Sequence, residues 1–181
     1  GYVLNELFKQ RGAMENVLAS LEQATKEGQP AMVVVMEPAN QYISREVMQF
    51  RDVVESMGWQ VLYPCSIPQG QCPMLKRSRD WCYSETQWNQ PNAMYLLDIN
   101  LGFDRKNLAV SGYIFVKGEI FDTLKPSKPR PVVVGRPTRS DNRHVFDVLL
   151  CDGEKLGTES SKNQNAPPLR GTFHRAGVDR K

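Results

Sequence analysis

Cysteines at 65, 72, 82 and 151 and histidines at 144 and 174 are the soft-metal and nucleophile candidates of this chain. No two cysteines make a Cys-x-x-Cys pair, and although distant ligands can assemble a tetrahedral zinc site, nothing in this spacing asks for one. Cys65, Cys72, Cys82 and Cys151 therefore read as reduced, buried thiols, and neither metal nor cofactor is expected. A hydrolase needs a base beside its nucleophile, and neither His144 nor His174 lies near a Gly-x-Ser-x-Gly elbow. Phosphate-cradling glycine loops are absent too, since Pro68-Gln69-Gly70-Gln71 has no partner glycines and no Gly-Lys-Ser/Thr. Glu37 and Asp98 end or interrupt apolar runs, where α/β folds collect functional groups. A metal-dependent nuclease would add a second carboxylate with a lysine close behind it. Asp98 is instead followed by Ile99 and Asn100, and Glu119, Asp122 and Lys125 are spaced too loosely to complete such a set. No catalytic residue is assigned, and the chain reads as a non-enzyme.

Binding chemistry is better represented. Residues 1–116 carry 10 Lys/Arg against 12 Asp/Glu, whereas residues 117–181 carry 13 against 8, within a net charge of +3. Lys125, Lys128, Arg130, Arg136, Arg139 and Arg143 cluster in a segment stiffened by Pro126, Pro129, Pro131 and Pro137 and opposed only by Asp141. That is the electrostatic footprint of a polyanion binder. Lys76, Arg77 and Arg79 run into Trp81 and Tyr83, so phosphate-neutralising cations alternate with rings able to stack on unpaired bases. The same aromatics, with Trp88 and Tyr95, could instead tuck the loop onto the core. Lys162, Arg170, His174 and Arg175 extend the basic set toward the end of the chain. Gln71-Cys72-Pro73-Met74-Leu75 is similar to the short Gln-led peptide that docks on bacterial sliding clamps.

These residues must be placed by an α/β framework. Met14, Val17, Leu18, Leu21 and Ala24 repeat at helical spacing and predict an amphipathic helix over 13–26. The apolar run 31–36 predicts a strand covered on both faces, 44–57 a helix ended by Gly58, and 59–63 a second strand parallel to the first. Residues 64–91, with four prolines, read as a long irregular loop. Strands are predicted over 93–99, 108–116 and 132–134, with Ile120 and Phe121 extending the sheet. The β-branched content of 144–151 and the Asp152-Gly153 turn favour a hairpin strand. The expected architecture is α/β, a mixed sheet with flanking helices, divided into a domain over 1–158 and a basic, partly ordered tail over 159–181. The chain opens with Gly1 and a helical pattern follows almost at once, so it reads as a piece excised from a larger protein, and no stretch suits a membrane span or a secretory signal.

The succession of a helix, AMVVVM, a helix, WQVLYP, a long loop, AMYLLDINLGFDRKNLAVSGYIF and a basic ending resembles the carboxy-terminal domain of the TnsE target-selection proteins of Tn-seven-type bacterial transposons. That resemblance implies a non-catalytic DNA-binding domain in the bacterial cytoplasm at the nucleoid. It implies recognition of DNA ends or structure more than base sequence, alongside other transposition proteins and the replication clamp. The residues expected on DNA come from charge and aromatic placement: Lys76, Arg77, Arg79, Trp81, the proline-spaced cluster, Lys162, Arg170, His174 and Arg175, with the proline-spaced segment, the 76–79 loop and the 170–175 tail expected to form one surface. A nuclease-like enzyme and a protein-docking module are the alternatives.

Overall fold

Apolar periodicity builds the first layer. The computed structural model describes residues 4–7, 9–10, 12–25, 29–65, 71–103, 105, 107–124, 131–134, 138–139, 145–151 and 156–162. Helices α1 (Leu4–Leu7) and α2 (Ala13–Thr25) lead into β1 (Ala31–Pro38), α3 (Gln41–Ser56) and β2 (Gln60–Tyr63). A 3₁₀ turn at Pro73–Lys76 precedes β3 (Ser84–Gln87), α4 (Asn92–Leu101), β4 (Asn107–Lys117) and α5 (Ile120–Leu124). Four strands follow, β5 (Val132–Val133), β6 (Thr138–Arg139), β7 (Val145–Cys151) and β8 (Leu156–Lys162). The chain is α/β, with helices flanking antiparallel sheets.

The first sheet is organised around β4, which pairs antiparallel with β1, β2 and β3. β1 and β2 therefore run in the same direction, as the strand-helix-strand spacing predicts, but β4 lies between them. In the second sheet β7 pairs antiparallel with β5, β6 and β8. The β7–β8 hairpin matches the predicted one, its register running from Val145 opposite Lys162 to Cys151 opposite Leu156. β8 continues to Lys162, across the expected start of the tail at 159, and 163–181 lie outside the described residues.

α3 is held by its own sequence. The Asn40 side chain accepts the Ile43 backbone N–H at 2.9 Å, so the helix starts earlier than the Ser44 expected from the weaker cap there. Gly58, at φ 83°, closes it as predicted. Ile43, Val47, Phe50 and Val54 face the sheet, where Phe50 meets Phe115 edge-on at 6.0 Å and Phe115 stacks with Tyr113 at 5.8 Å. Each such fully buried side chain contributes on the order of 1.5–3 kcal/mol. Val132, Val134 and Cys151 join the same core, so the two sheets share it.

Two predicted strands are helices. Residues 93–99 fall within α4, because a short run that is apolar on every side carries no period to separate strand from helix. Gly102, at φ 70°, ends α4 as the left-handed cap, with the Phe103 N–H bonded to the Asp98 carbonyl. Ile120 and Phe121 lie in α5 and do not extend the sheet. The loop over 64–91 is less irregular than its prolines suggest, since it contains the 3₁₀ turn and β3.

Candidate functional site

Four separate stretches of chain each deliver one cysteine to the junction of the two sheets. Cys65 follows β2, Cys72 precedes the 3₁₀ turn, Cys82 precedes β3 and Cys151 ends β7. None of the four is in a disulfide, and all four line one apolar cavity with Pro64, Met74, Tyr113, Val132 and Val134. Burial, then the neighbouring Cys82, pushes the Cys65 thiol well up, and Cys72 and Cys151 add to this while the Arg51 guanidinium opposes it. Burial pushes Cys72 up as well, countered by the Met74 and Leu75 backbone N–H groups directed at its sulfur and by Arg51. Mutual destabilisation of thiolates is what shared confinement in a poorly polarisable cavity produces. Among the described residues no three His, Cys, Asp or Glu side chains are drawn together tightly enough to hold a metal as they stand, so the thiols share a cavity wall without meeting at a point.

Four thiols on one cavity wall are, in donor chemistry, the set that a four-thiolate centre takes. A soft cation would offset the burial that, with the neighbouring sulfurs, holds Cys65 and Cys72 protonated, and four sulfur ligands suit zinc or an iron–sulfur cluster. Backbone N–H groups aimed at a cysteine sulfur stabilise it as a thiolate ligand.

One face of α3 straps down the loop between Cys72 and Cys82. Gln41 Nε2 donates to the Ser78 carbonyl at 3.1 Å. Arg45 Nη1 donates to the Arg77 and Asp80 carbonyls at 2.8 and 2.7 Å, and its Nη2 to the Leu75 carbonyl at 3.5 Å. Met48 Sδ accepts the Cys82 N–H at 3.3 Å, and the Asp52 carboxylate accepts the Cys72 N–H at 3.2 and 3.3 Å. Asp52 is in turn held by Arg51 Nη1 at 2.6 Å, and the same guanidinium reaches Glu55 at 3.1 Å. Arg51 is buried, and its charge is retained because the Asp52 and Glu55 carboxylates offset its desolvation.

The strapped loop presents Lys76, Arg77 and Arg79 to solvent. Trp81 is half-buried against the core and stacks on Tyr83 at 6.1 Å, the core-tucking arrangement weighed for these aromatics. Cys72, Pro73 and Met74 are buried, so Gln71–Leu75 is not an exposed clamp-docking peptide. Arg139 lies in β6 and Lys162 ends β8. Lys125, Lys128, Arg130, Arg136, Arg143, Arg170, His174 and Arg175 lie outside the described residues, as therefore does most of the single basic surface expected from them. Glu37 and Asp98 are not a nuclease pair. Glu37 is buried and accepts the Leu4 N–H at 2.9 Å, while Asp98 sits on α4 and is enclosed by Arg105 and Gln90.

What sequence reasoning missed is that the four cysteines share one cavity. Three of the four fall in one proline-rich stretch and two of them adjoin a proline, as Pro64-Cys65 and Cys72-Pro73, and that local pattern was the available signal. Cys151 carries no such mark, because only the pairing of β7 with β5 brings it to the others.

Fold and site define a cysteine-centred α/β domain with a cationic loop. Among the described residues no helix is long and apolar enough to cross a membrane. The chain belongs to the Rsm22 family, described as mitochondrial small ribosomal subunit Rsm22, whose family model matches residues 1–162. No curated protein matches it. The family match overturns the resemblance to TnsE proteins, and with it the transposition role, the nucleoid location, and DNA, transposition proteins and the sliding clamp as partners. Neither the nuclease-like nor the docking alternative gains support from it. The resemblance rested on an order of elements that many α/β domains share, and on a charge asymmetry that any polyanion partner would explain equally well.

Proposed function

We propose that this chain is a metal-stabilised module of a small ribosomal subunit protein, the mitochondrial subunit in the description of its family. Cys65, Cys72, Cys82 and Cys151 hold a zinc ion or an iron–sulfur cluster, and the loop between Cys72 and Cys82 presents Lys76, Arg77 and Arg79 to ribosomal RNA phosphates. The observation that carries the reading is the convergence of four thiols from four stretches of chain on one apolar cavity. The metal's contribution is architectural, because its ligands come from both sheets and from the loop. Binding a metal in the folded state alone adds its binding free energy to folding. No catalytic role is assigned to Glu37 or Asp98.

The test is anaerobic purification of the chain followed by metal and acid-labile sulfide analysis. Zinc without sulfide, or iron with matching sulfide, supports the four-thiolate centre and says which form it takes. A metal-free wild type that is as stable as Cys72→Ser and Cys151→Ser overturns it. The RNA arm measures affinity for small-subunit ribosomal RNA against salt. Three phosphate contacts on single-stranded segments give a log–log slope of about −2, lost in the Lys76→Ala, Arg77→Ala, Arg79→Ala triple variant. A salt-insensitive affinity, or a triple variant with an unchanged slope, sinks the assignment of the loop.

A further inference from the structure

We infer that one stripe of α3, made of Gln41, Arg45, Met48 and Asp52, is a positioning device that sets the loop ligands Cys72 and Cys82 toward the shared cavity before any metal arrives. The inference rests on the four-thiolate reading above. The spacing of the four residues, in steps of four, three and four, puts them on one side of a helix with 3.6 residues per turn. Their hydrogen bonds to the loop are all to its main chain. Asp52 takes the N–H of Cys72, Met48 takes the N–H of Cys82, and Arg45 and Gln41 fasten the carbonyls of Leu75, Arg77, Ser78 and Asp80 between them.

A loop of this length would otherwise sample many conformations, and a metal binding to it would have to supply the ordering entropy of each residue fixed. The stripe removes that cost in advance, because it captures the amide of each ligand cysteine and the carbonyls between them. Arg51 completes the device from the neighbouring position by fixing the Asp52 carboxylate at 2.6 Å. Asp52, Met48 and Arg45 are thus positioning residues that act through Cys72, Cys82 and the loop backbone. Support of this kind around metal ligands alters affinity by roughly 10–100-fold.

Cobalt(II) titration of the reduced chain tests the inference, read by thiolate-to-cobalt charge-transfer absorption and by competition with a chelator. Asp52→Leu removes the acceptor for the Cys72 amide and is expected to weaken cobalt binding at least tenfold. Asp52→Asn keeps an acceptor oxygen and should stay within about threefold of wild type by the same scale. Met48→Leu keeps the volume but loses the sulfur acceptor and should also weaken binding, which covers the case in which Asp52→Leu does not fold. Urea unfolding of the metal-free forms separates positioning from general stability: Met48→Leu keeps the wild-type midpoint but loses affinity, whereas Asp52→Asn, which strips one carboxylate from the buried Arg51, lowers the midpoint but keeps its affinity. Wild type binding cobalt through thiolates while Met48→Leu and Asp52→Leu bind equally well overturns the inference and leaves the metal centre standing. A wild type with no charge-transfer band, and with neither zinc nor iron and sulfide after anaerobic purification, overturns both.

Discussion

At Asp98 the carboxylate is occupied by protein donors on both oxygens. Arg105 Nε donates to Oδ1 at 2.8 Å and to Oδ2 at 3.0 Å, its terminal nitrogen also bonds Oδ1, and Gln90 Nε2 donates to Oδ2 at 2.5 Å. Arg105 foremost, with Gln90 adding to it against the opposing effect of burial, holds this carboxyl below its usual range. A depressed folded-state value means stabilisation that is present above the unfolded value and lost as pH falls through the folded one. Asp98→Asn should therefore lower the urea midpoint at neutral pH, and its curve should converge with wild type as pH drops below about 3.9. Curves that stay parallel down to acid unfolding would show that the Arg105 contact contributes nothing. The same residue marks what could be read ahead of the structure. Its charge was visible, but its partners were not, because Arg105 reaches it only once 93–99 is a helix closed by Gly102.

At the scale of elements, α3 does two jobs with two faces. Its apolar residues pack on β4, and its stripe of Gln41, Arg45, Met48 and Asp52 fastens the cysteine loop. The apolar face was legible because Val47, Phe50 and Val54 recur at helical spacing. The fastening face was not, since a polar stripe looks the same whether it meets water or a loop. Loss of the Asn40 cap should loosen both partners of the helix. Asn40→Ala is expected to cost about 1 kcal/mol in urea unfolding. Hydrogen exchange should quicken at the N-terminal turn of α3 and in residues 77–80 together. Quickening confined to the helix would show that the loop does not depend on its first turn.

Among the described residues, two stretches of chain leave apolar side chains in solvent. Met32, Val34 and Met36 project from the outer face of β1, and Tyr95, Leu96, Leu97, Ile99 and Leu101 from α4, continued by Phe103. Contiguous exposure on this scale is unusual for a free-standing domain. The folded chain should bind an environment-sensitive apolar dye under native conditions, and Leu96→Glu with Leu97→Gln should reduce that fluorescence while the far-ultraviolet circular dichroism stays unchanged. Dye binding that survives the double substitution would assign the signal to β1 or to partial unfolding. This exposure also separates the legible from the hidden. The run 31–36 announced a strand covered on both faces, and the strand is there, but its outer face is open.

The central place of β4 fixes an order of events during synthesis. Among the described residues β1, β2 and β3 each find their backbone partners on residues 107–117 and not on one another. A nascent chain that has released Ala31–Pro38 must therefore elongate through Lys117 before that apolar strand can pair. At translation rates of 5–20 residues per second this leaves it unpaired for roughly 4–16 s. Cys151 emerges later still, so Ala31–Pro38 waits for the arrival of β4, and the cavity shared by the four cysteines waits for its last wall until β7 has been made.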